Sequence, residues 1–119
     1  AERVGKLYLD ANSTSASANR VKEAGVDAVN AVSLDEDIKE KISMIKMDIE
    51  GGEISAIKGV KEHIKNDLPK LFISVYHSND DIITIPKLIQ SYTDKYDFYL
   101  RYYGGNLYAT EIVLICLPK

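Results

Sequence analysis

From residue 42 onward, apolar segments typical of strands alternate with segments of helical spacing, and this order restricts the possible folds. Helices are predicted at 53–66 and 81–92, where apolar residues recur every three or four positions. Pro86 suits a first helical turn, which moves the expected start of the second helix to near Thr84. The strand candidates, rich in apolar, aromatic or β-branched residues, are 42–49, 71–76, 97–103 and 110–117.

The connections between these segments predict the strand directions. The two helical crossovers indicate right-handed connections between parallel strands. The short Gly104-Gly105-Asn106 turn makes the last two strands an antiparallel pair. Residues 110–117 are almost continuously apolar, which is typical of a central, buried strand. The fold class is therefore α/β, a mostly parallel open sheet with an antiparallel C-terminal hairpin and covering helices.

The first third of the chain carries weaker signals. Residues 4–9 and 26–32 are short strand candidates, and 11–19 is small and polar like an exposed loop. Ser33 and Glu36 form a capping box that predicts a short helix to about Lys41. No linker divides the chain, so we expect one domain over residues 1–119, with 1–32 a variable lead-in and 33–119 the core that carries the motifs.

Charge and cysteine content exclude several classes of protein. The net charge of −3 provides no general attraction to nucleic acid or to an anionic membrane. No apolar run approaches the roughly 20 residues of a membrane-spanning helix. Cys116 is the single cysteine and lies in an apolar run, so we expect a buried, inert thiol and no internal disulfide. A reducing, cytoplasmic location fits this cysteine content.

Two acidic residues follow the first of the strong strand candidates. Asp48 and Glu50 are two positions apart and so project from one face, while Met47 and Ile49 take the other. Gly51 and its glycine neighbour let the backbone turn tightly into the next helix. Because ligands of open α/β sheets bind outside the carboxyl ends of the strands, these carboxylates are candidate site residues. Their alternative role is simply to cap the strand-to-helix turn.

A histidine ends the next strand candidate. Neighbouring strands lie about 5 Å apart, so Asp48, Glu50 and His77 are expected to gather at one crevice. A histidine beside a carboxylate can act as a general base, because the carboxylate fixes its tautomer. The same three side chains can also hold a divalent cation. The other histidine, His63, lies in a lysine-rich helix and is expected to be exposed.

The segments VSLDEDI, MIKMDIEGGEISAIKG, KLFISVYHSNDD and YDFYLRYYG followed by ATEIVLICLP resemble the FkbM family of S-adenosylmethionine-dependent methyltransferases over about residues 32–118. The most specific match is the core motif, in which Lys46, Asp48, Glu50, Gly51 and Glu53 match the family pattern. His77 matches the histidine that ends the following strand in this family.

The resemblance implies a Rossmann-like methyltransferase sheet and methyl transfer from S-adenosylmethionine to a hydroxyl of a sugar or small molecule. It implies Asp48 and His77 as catalytic residues that orient or deprotonate the acceptor. Asp48, Glu50 and Gly51 are implied to contact the cofactor, with Glu50 and Glu53 also positioning the motif loop through backbone amides. No residue is assigned as a metal ligand under this interpretation.

The sequence also departs from the family. It contains no G-x-G-x-x-G-like segment, so it resembles the C-terminal part of the domain, with the N-terminal, cofactor-binding half apparently missing. Tyr102 stands where a histidine is common in relatives. Two other hypotheses stay open: a non-catalytic, truncated α/β protein whose open sheet edge pairs with a partner chain or a second copy, and a metal-dependent hydrolase that uses Asp48, Glu50 and His77.

Overall fold

The computed structural model describes residues 5–9, 21–22, 27–105 and 111–119, with side chains described within 30–105 and 111–119. The expected loop at 11–19 lies outside these residues, as do Val4, Val26 and the turn residue Asn106. The strands are β1 (Gly5–Leu9), β2 (Val21–Lys22), β3 (Asp27–Ala31), β4 (Met44–Met47), β5 (Lys70–Ser74), β6 (Tyr96–Tyr102) and β7 (Ile112–Pro118). The helices are α1 (Leu34–Asp37), α2 (Glu53–Lys58), α3 (Lys61–Asp67) and α4 (Asp81–Tyr92).

The strands form two sheets in the described part of the chain. One has the order β2-β1-β3, and both of its pairings are antiparallel. The other is a mixed sheet with the order β4-β5-β7-β6, in which β4 and β5 are parallel and β7 runs antiparallel to both of its neighbours. The predicted α/β class and antiparallel C-terminal hairpin are confirmed. The expectation of mostly parallel pairing is only partly met, because β7 lies between β5 and β6 and separates them.

The core lies between the larger sheet and its helices. Ile57 and Ile64 of α2 and α3 are fully buried, as are Leu71 of β5 and Ile89 of α4. The central position predicted for β7 is confirmed, and its Cys116 is fully buried. Burial raises the pKa of the Cys116 thiol to about 12, so the expectation of an inert cysteine fits this environment.

The helix predicted at 53–66 is interrupted. Gly59 ends α2, with its N–H directed at the carbonyls of Ser55 and Ile57, and Val60 has a non-helical φ of −127°. Both halves still bury apolar side chains in the same core, so the apolar spacing continues through the break. Because that spacing does not change at Gly59, the sequence pattern predicted one helix where two are found.

Two other helix boundaries differ from the prediction. The helix after Ser33 ends at Asp37 rather than near Lys41, because Ile38 adopts extended backbone angles. The predicted cap itself is present, since Glu36 N–H donates to the Ser33 hydroxyl at 3.3 Å. The last helix begins at Asp81 and not near Thr84, since Thr84 N–H already donates to the carbonyl of Asp80 at 2.8 Å. Pro86 is therefore inside the helix, where it removes one backbone hydrogen bond.

No helix in the described ranges has the length and apolar character needed to cross a membrane.

Candidate active site at the carboxyl ends of β4 and β5

The parallel pairing of β4 with β5 brings the sequence-predicted side chains together. The last aligned pair is Met47 with Ile73, so Asp48 and His77 both follow the carboxyl edge of the sheet. His77 Nε2 lies 3.4 Å from Asp48 Oδ1 and 3.8 Å from Glu50 Oε2. The expected gathering of Asp48, Glu50 and His77 is therefore found in the structure.

A tight turn after β4 places the Glu50 carboxylate. Glu50 has a φ of +57° and Gly51 a φ of +97°, and Gly52 N–H donates to the Ile49 carbonyl at 3.2 Å. A left-handed conformation is unfavourable for a residue with a Cβ, by roughly 1–2 kcal/mol. Glu50 adopts it nonetheless, and its carboxylate faces the His77 ring. Backbone strain of this kind is common in functional sites.

Glu53 is a buried carboxylate next to the site. Its side chain is 1% exposed, and its Oε1 accepts a hydrogen bond from Ile49 N–H at 3.0 Å. The implied role in positioning the motif loop through a backbone amide therefore fits Glu53. No such bond is found for Glu50 among the described residues, because its carboxylate faces His77 instead.

Glu53 Oε1 also lies 2.9 Å from His77 Nδ1. The oxygen is displaced from the N–H direction of the ring, so the contact is a short ion-pair distance and not an aligned hydrogen bond. Within the described ranges, Glu53 Oε2 and both ring nitrogens of His77 are buried without a hydrogen-bond partner. Buried polar atoms without partners are rare in native proteins and indicate a water, an ion or a ligand.

Tyr76 belongs to the site although the sequence analysis did not single it out. Its hydroxyl donates to Asp48 Oδ1 at 3.3 Å, and its ring lies 4.2 Å from the His77 ring, centroid to centroid. Burial and the negative charge of Asp48 raise the pKa of Tyr76 to about 12, so its phenol keeps the proton that it donates. In the sequence, only the position of Tyr76 next to His77 indicated that it joins the site. The alternation of side chains along β5 ends at Ser74 and so does not predict the direction of the Tyr76 side chain.

Lys46 does not join the site. It lies on the exposed side of β4, and no ion pair connects it with Asp48 in the parts of the chain that the structure describes. Tyr102, at the end of β6, is half-exposed.

The expectation that His63 is exposed is wrong. Its side chain is 12% exposed, with Nδ1 2.6 Å from Asp67 Oδ2 and Nε2 2.9 Å from the Ile38 carbonyl oxygen. Asp67 Oδ2 also accepts from Ile42 N–H at 2.9 Å. The hydrogen bond to Asp67 raises the pKa of His63, and the same bond lowers the pKa of Asp67. This histidine therefore links α3 to the segment between α1 and β4 and has a structural role.

Comparison with known proteins gives this geometry a family context. The family model described as the methyltransferase FkbM domain matches residues 4–105. The crystal structure of methyltransferase FkbM from Methylobacillus flagellatus KT is similar, with a TM-score of 0.70 and 33% sequence identity. That similarity covers 76% of this chain and 24% of the other, so the chain spans about a quarter of that protein's length. No match was found among curated protein sequences.

The family match extends over most of the chain, and it includes the turn that carries Asp48, Glu50 and Gly51. We conclude that the chain belongs to the FkbM methyltransferase family.

Proposed function

We propose that this chain takes part in methyl transfer from S-adenosylmethionine to a hydroxyl group of a small molecule or sugar. It would form the acceptor-side part of a Rossmann-like methyltransferase domain whose remaining strands bind most of the cofactor. Membership of the FkbM family supports the reaction class. The chain's coverage of 24% of the related crystal structure supports its assignment as one part of a larger catalytic domain.

The observation that carries this proposal is the environment of His77 Nε2. This nitrogen is buried without a hydrogen-bond partner among the described residues, and it faces the carboxylates of Asp48 and Glu50 at 3.4 and 3.8 Å. An acceptor hydroxyl placed there can hydrogen-bond to His77 Nε2 and to Asp48 Oδ1. His77 Nε2 would take the hydroxyl proton as the acceptor oxygen receives the methyl group.

The residues of the turn fit the cationic part of the cofactor. S-adenosylmethionine, when bound, supplies an electrophilic methyl group on a positively charged sulfur. The side chains of Asp48 and Glu50 are 40% and 35% exposed, so each can offer an oxygen to a cationic ligand. Gly51 has open space where a side chain would be, so a ligand can approach its backbone. Asp48, Glu50 and Gly51 would thus hold the cofactor from the β4 side.

A calorimetric titration of S-adenosylmethionine tests the proposal. We would titrate the 119-residue chain alone and as part of a longer polypeptide that extends upstream, and then assay the longer form for methyl transfer to a panel of hydroxylated acceptors. Binding by the longer polypeptide, with transfer reduced about 100-fold or more in its His77→Gln variant, is the expected result. If neither form binds S-adenosylmethionine, the proposal is refuted.

Asp97 offers a matched control for the site variants. It is an exposed carboxylate at the start of β6, and the pairing of Phe98 through Cys116 with Leu71 places it at the opposite edge of the sheet. Asp97→Asn removes one negative charge, as Asp48→Asn does, but lies away from His77. We expect Asp48→Asn to reduce methyl transfer and Asp97→Asn to leave it unchanged.

The position of β4 favours a second candidate function, a non-catalytic protein that pairs with a partner chain. In the described four-stranded sheet β4 is an outer strand, with β5 on one side. An unpaired strand edge can accept a strand from another chain, including a second copy. Sedimentation equilibrium distinguishes the candidates, because this alternative requires a stable complex and no affinity for S-adenosylmethionine.

A further inference from the structure

Three side chains of the candidate active site converge on one point. The cluster consists of Asp48, Glu50 and His77, and one ligand-type atom from each lies within 4.8 Å of the others. A cation bound by oxygen and nitrogen at about 2.0–2.2 Å holds its ligand atoms roughly 3–4 Å apart. The distances from His77 Nε2, 3.4 Å to Asp48 Oδ1 and 3.8 Å to Glu50 Oε2, fall in this range. Two of the three separations are thus those expected for ligands of one small ion, and the third is within 4.8 Å.

We propose that Asp48, Glu50 and His77 bind a divalent cation of the Mn²⁺ or Zn²⁺ type. A set of one imidazole and two carboxylates suits ions that accept both nitrogen and oxygen ligands. It is a poor match for Mg²⁺ or Ca²⁺, which prefer oxygen ligands only. Each carboxylate would contribute one oxygen to the ion.

The two histidines of the chain differ in the way that this proposal requires. Both ring nitrogens of His63 have partners, Asp67 at 2.6 Å and the Ile38 carbonyl at 2.9 Å. The His77 side chain is 6% exposed, yet its Nε2 has no hydrogen-bond partner among the described residues. A buried nitrogen without a hydrogen-bond partner destabilises the protein unless a ligand contacts it. Nε2 lies 3.4 and 3.8 Å from the two carboxylates, and a cation between them would supply the missing contact.

A buried carboxylate lies next to the far side of the His77 ring. Metal-bound histidines commonly donate their second ring N–H to a carboxylate, which sets the tautomer and orients the ring. Glu53 Oε1 lies 2.9 Å from Nδ1, and Glu53 is itself held by Ile49 N–H. With the proton on Nδ1, beside the Glu53 carboxylate, Nε2 would keep a lone pair for a cation.

The charge of the cluster favours the same conclusion. Three carboxylates, those of Asp48, Glu50 and Glu53, surround a single imidazole. Acidic groups held this close repel one another, and a divalent ion offsets that repulsion. Three protein ligands leave coordination positions open, and these can accept water. If the proposed methyl transfer is correct, a bound cation replaces His77 Nε2 as the group that activates the acceptor: the hydroxyl would take an open coordination position, and its proton would pass to water.

Binding is tested on the 119-residue chain without cofactor or acceptor. We would titrate MnCl₂ and, separately, ZnCl₂ into the wild-type chain and into the D48N/E50Q double variant, with Asp97→Asn as the charge-matched control. The expected result is binding of one ion per chain, weakened at least tenfold in the double variant and within twofold of wild type in the control. Binding that is absent at millimolar ion, or equal in all three proteins, would overturn the proposal.

A second measurement needs no variant and so does not depend on the folding of one. Mn²⁺ broadens NMR signals of nearby nuclei, and we expect selective loss of the backbone amide signals of residues 48–53 and 76–78. Signals of residues 61–67, around the fully partnered His63, should persist. Broadening centred on 61–67 would overturn the proposal. Since neither readout requires methyl transfer, the cation site and the proposed function succeed or fail separately.

Discussion

Gly51 provides a sharp test of the turn that shapes the candidate site. Its φ of +97° is a conformation that residues with a Cβ rarely adopt, and a Cβ built there meets no atom within 4 Å. The change Gly51→Ala therefore introduces backbone strain without a steric clash. Such strain costs about 1–3 kcal/mol, whereas alanine's smaller unfolded-state entropy returns about 0.4–1 kcal/mol. The free energy of unfolding should thus fall by roughly 1–2 kcal/mol.

Urea denaturation and thermal melting measure this loss. For 119 residues the entropy of unfolding is about 0.25 kcal/mol/K, so the melting temperature should fall by about 4–8 °C. Gly105→Ala is the matched control, because a Cβ there also has open space and φ is not in the left-handed region. The control should be neutral or slightly stabilising. Equal unfolding free energies for the two variants would refute the assigned turn geometry.

Three further predictions concern buried polar groups outside the turn. Tyr96→Phe should lower the free energy of unfolding by about 1–3 kcal/mol, because it removes a buried 2.7 Å hydrogen bond to the Pro69 carbonyl and leaves that oxygen unpaired. His63→Gln should destabilise the protein more near pH 5.5 than near pH 9. The reason is that the pKa of His63 is raised in the folded state, so its contribution to stability is present below about pH 6.5 and is lost as the pH rises through the folded-state pKa. The pKa of Asp67 is lowered, so its pH dependence is opposite. Its contribution to the free energy of unfolding is present above about pH 3.8 and is lost as the pH falls through the folded-state pKa. Cys116 should resist a thiol reagent in the native protein and react once urea unfolds the chain, because it is fully buried and burial raises its pKa to about 12.

Each of these predictions has its own control. Tyr99→Phe removes a hydroxyl from a half-exposed side chain of β6 and should leave stability unchanged. Equal losses for Tyr96→Phe and Tyr99→Phe would contradict the buried hydrogen bond. In an Asp67→Asn background, the pH dependence of the His63→Gln effect should largely disappear. Rapid labelling of Cys116 without denaturant would show that β7 is more accessible than the structure indicates.

Local sequence patterns predicted much of the larger sheet. The helix at 81–92 was predicted from its apolar spacing, although Pro86 suggested a later start. The antiparallel pairing of β6 with β7 followed from the short connection between them. The break at Gly59 was missed because apolar residues continue at helical spacing on both sides of it. The two-residue strand β2 was missed because so short a segment carries no periodicity.

The candidate site was predictable only where sheet geometry determines it. Asp48 and His77 follow two parallel neighbouring strands, so their proximity could be expected from strand spacing. The approach of Glu53 to His77 and the hydrogen bond from Tyr76 to Asp48 were not predicted. Both contacts form in segments beyond the strand ends, where backbone angles such as the positive φ of Glu50 are not set by a repeating pattern.

The sequence by itself therefore determined the α/β class, the antiparallel hairpin and the strand ends that carry the acidic residues and the histidine, because periodicity and short connections are local properties. Tertiary structure alone decided the roles of the two histidines. His63 was expected to be exposed, but Asp67 and the Ile38 carbonyl engage both of its ring nitrogens. The His77 side chain is buried beside two carboxylates, and its Nε2 has no hydrogen-bond partner within the described ranges. The physical reason is that burial and the choice of hydrogen-bond partner depend on residues far apart in the chain.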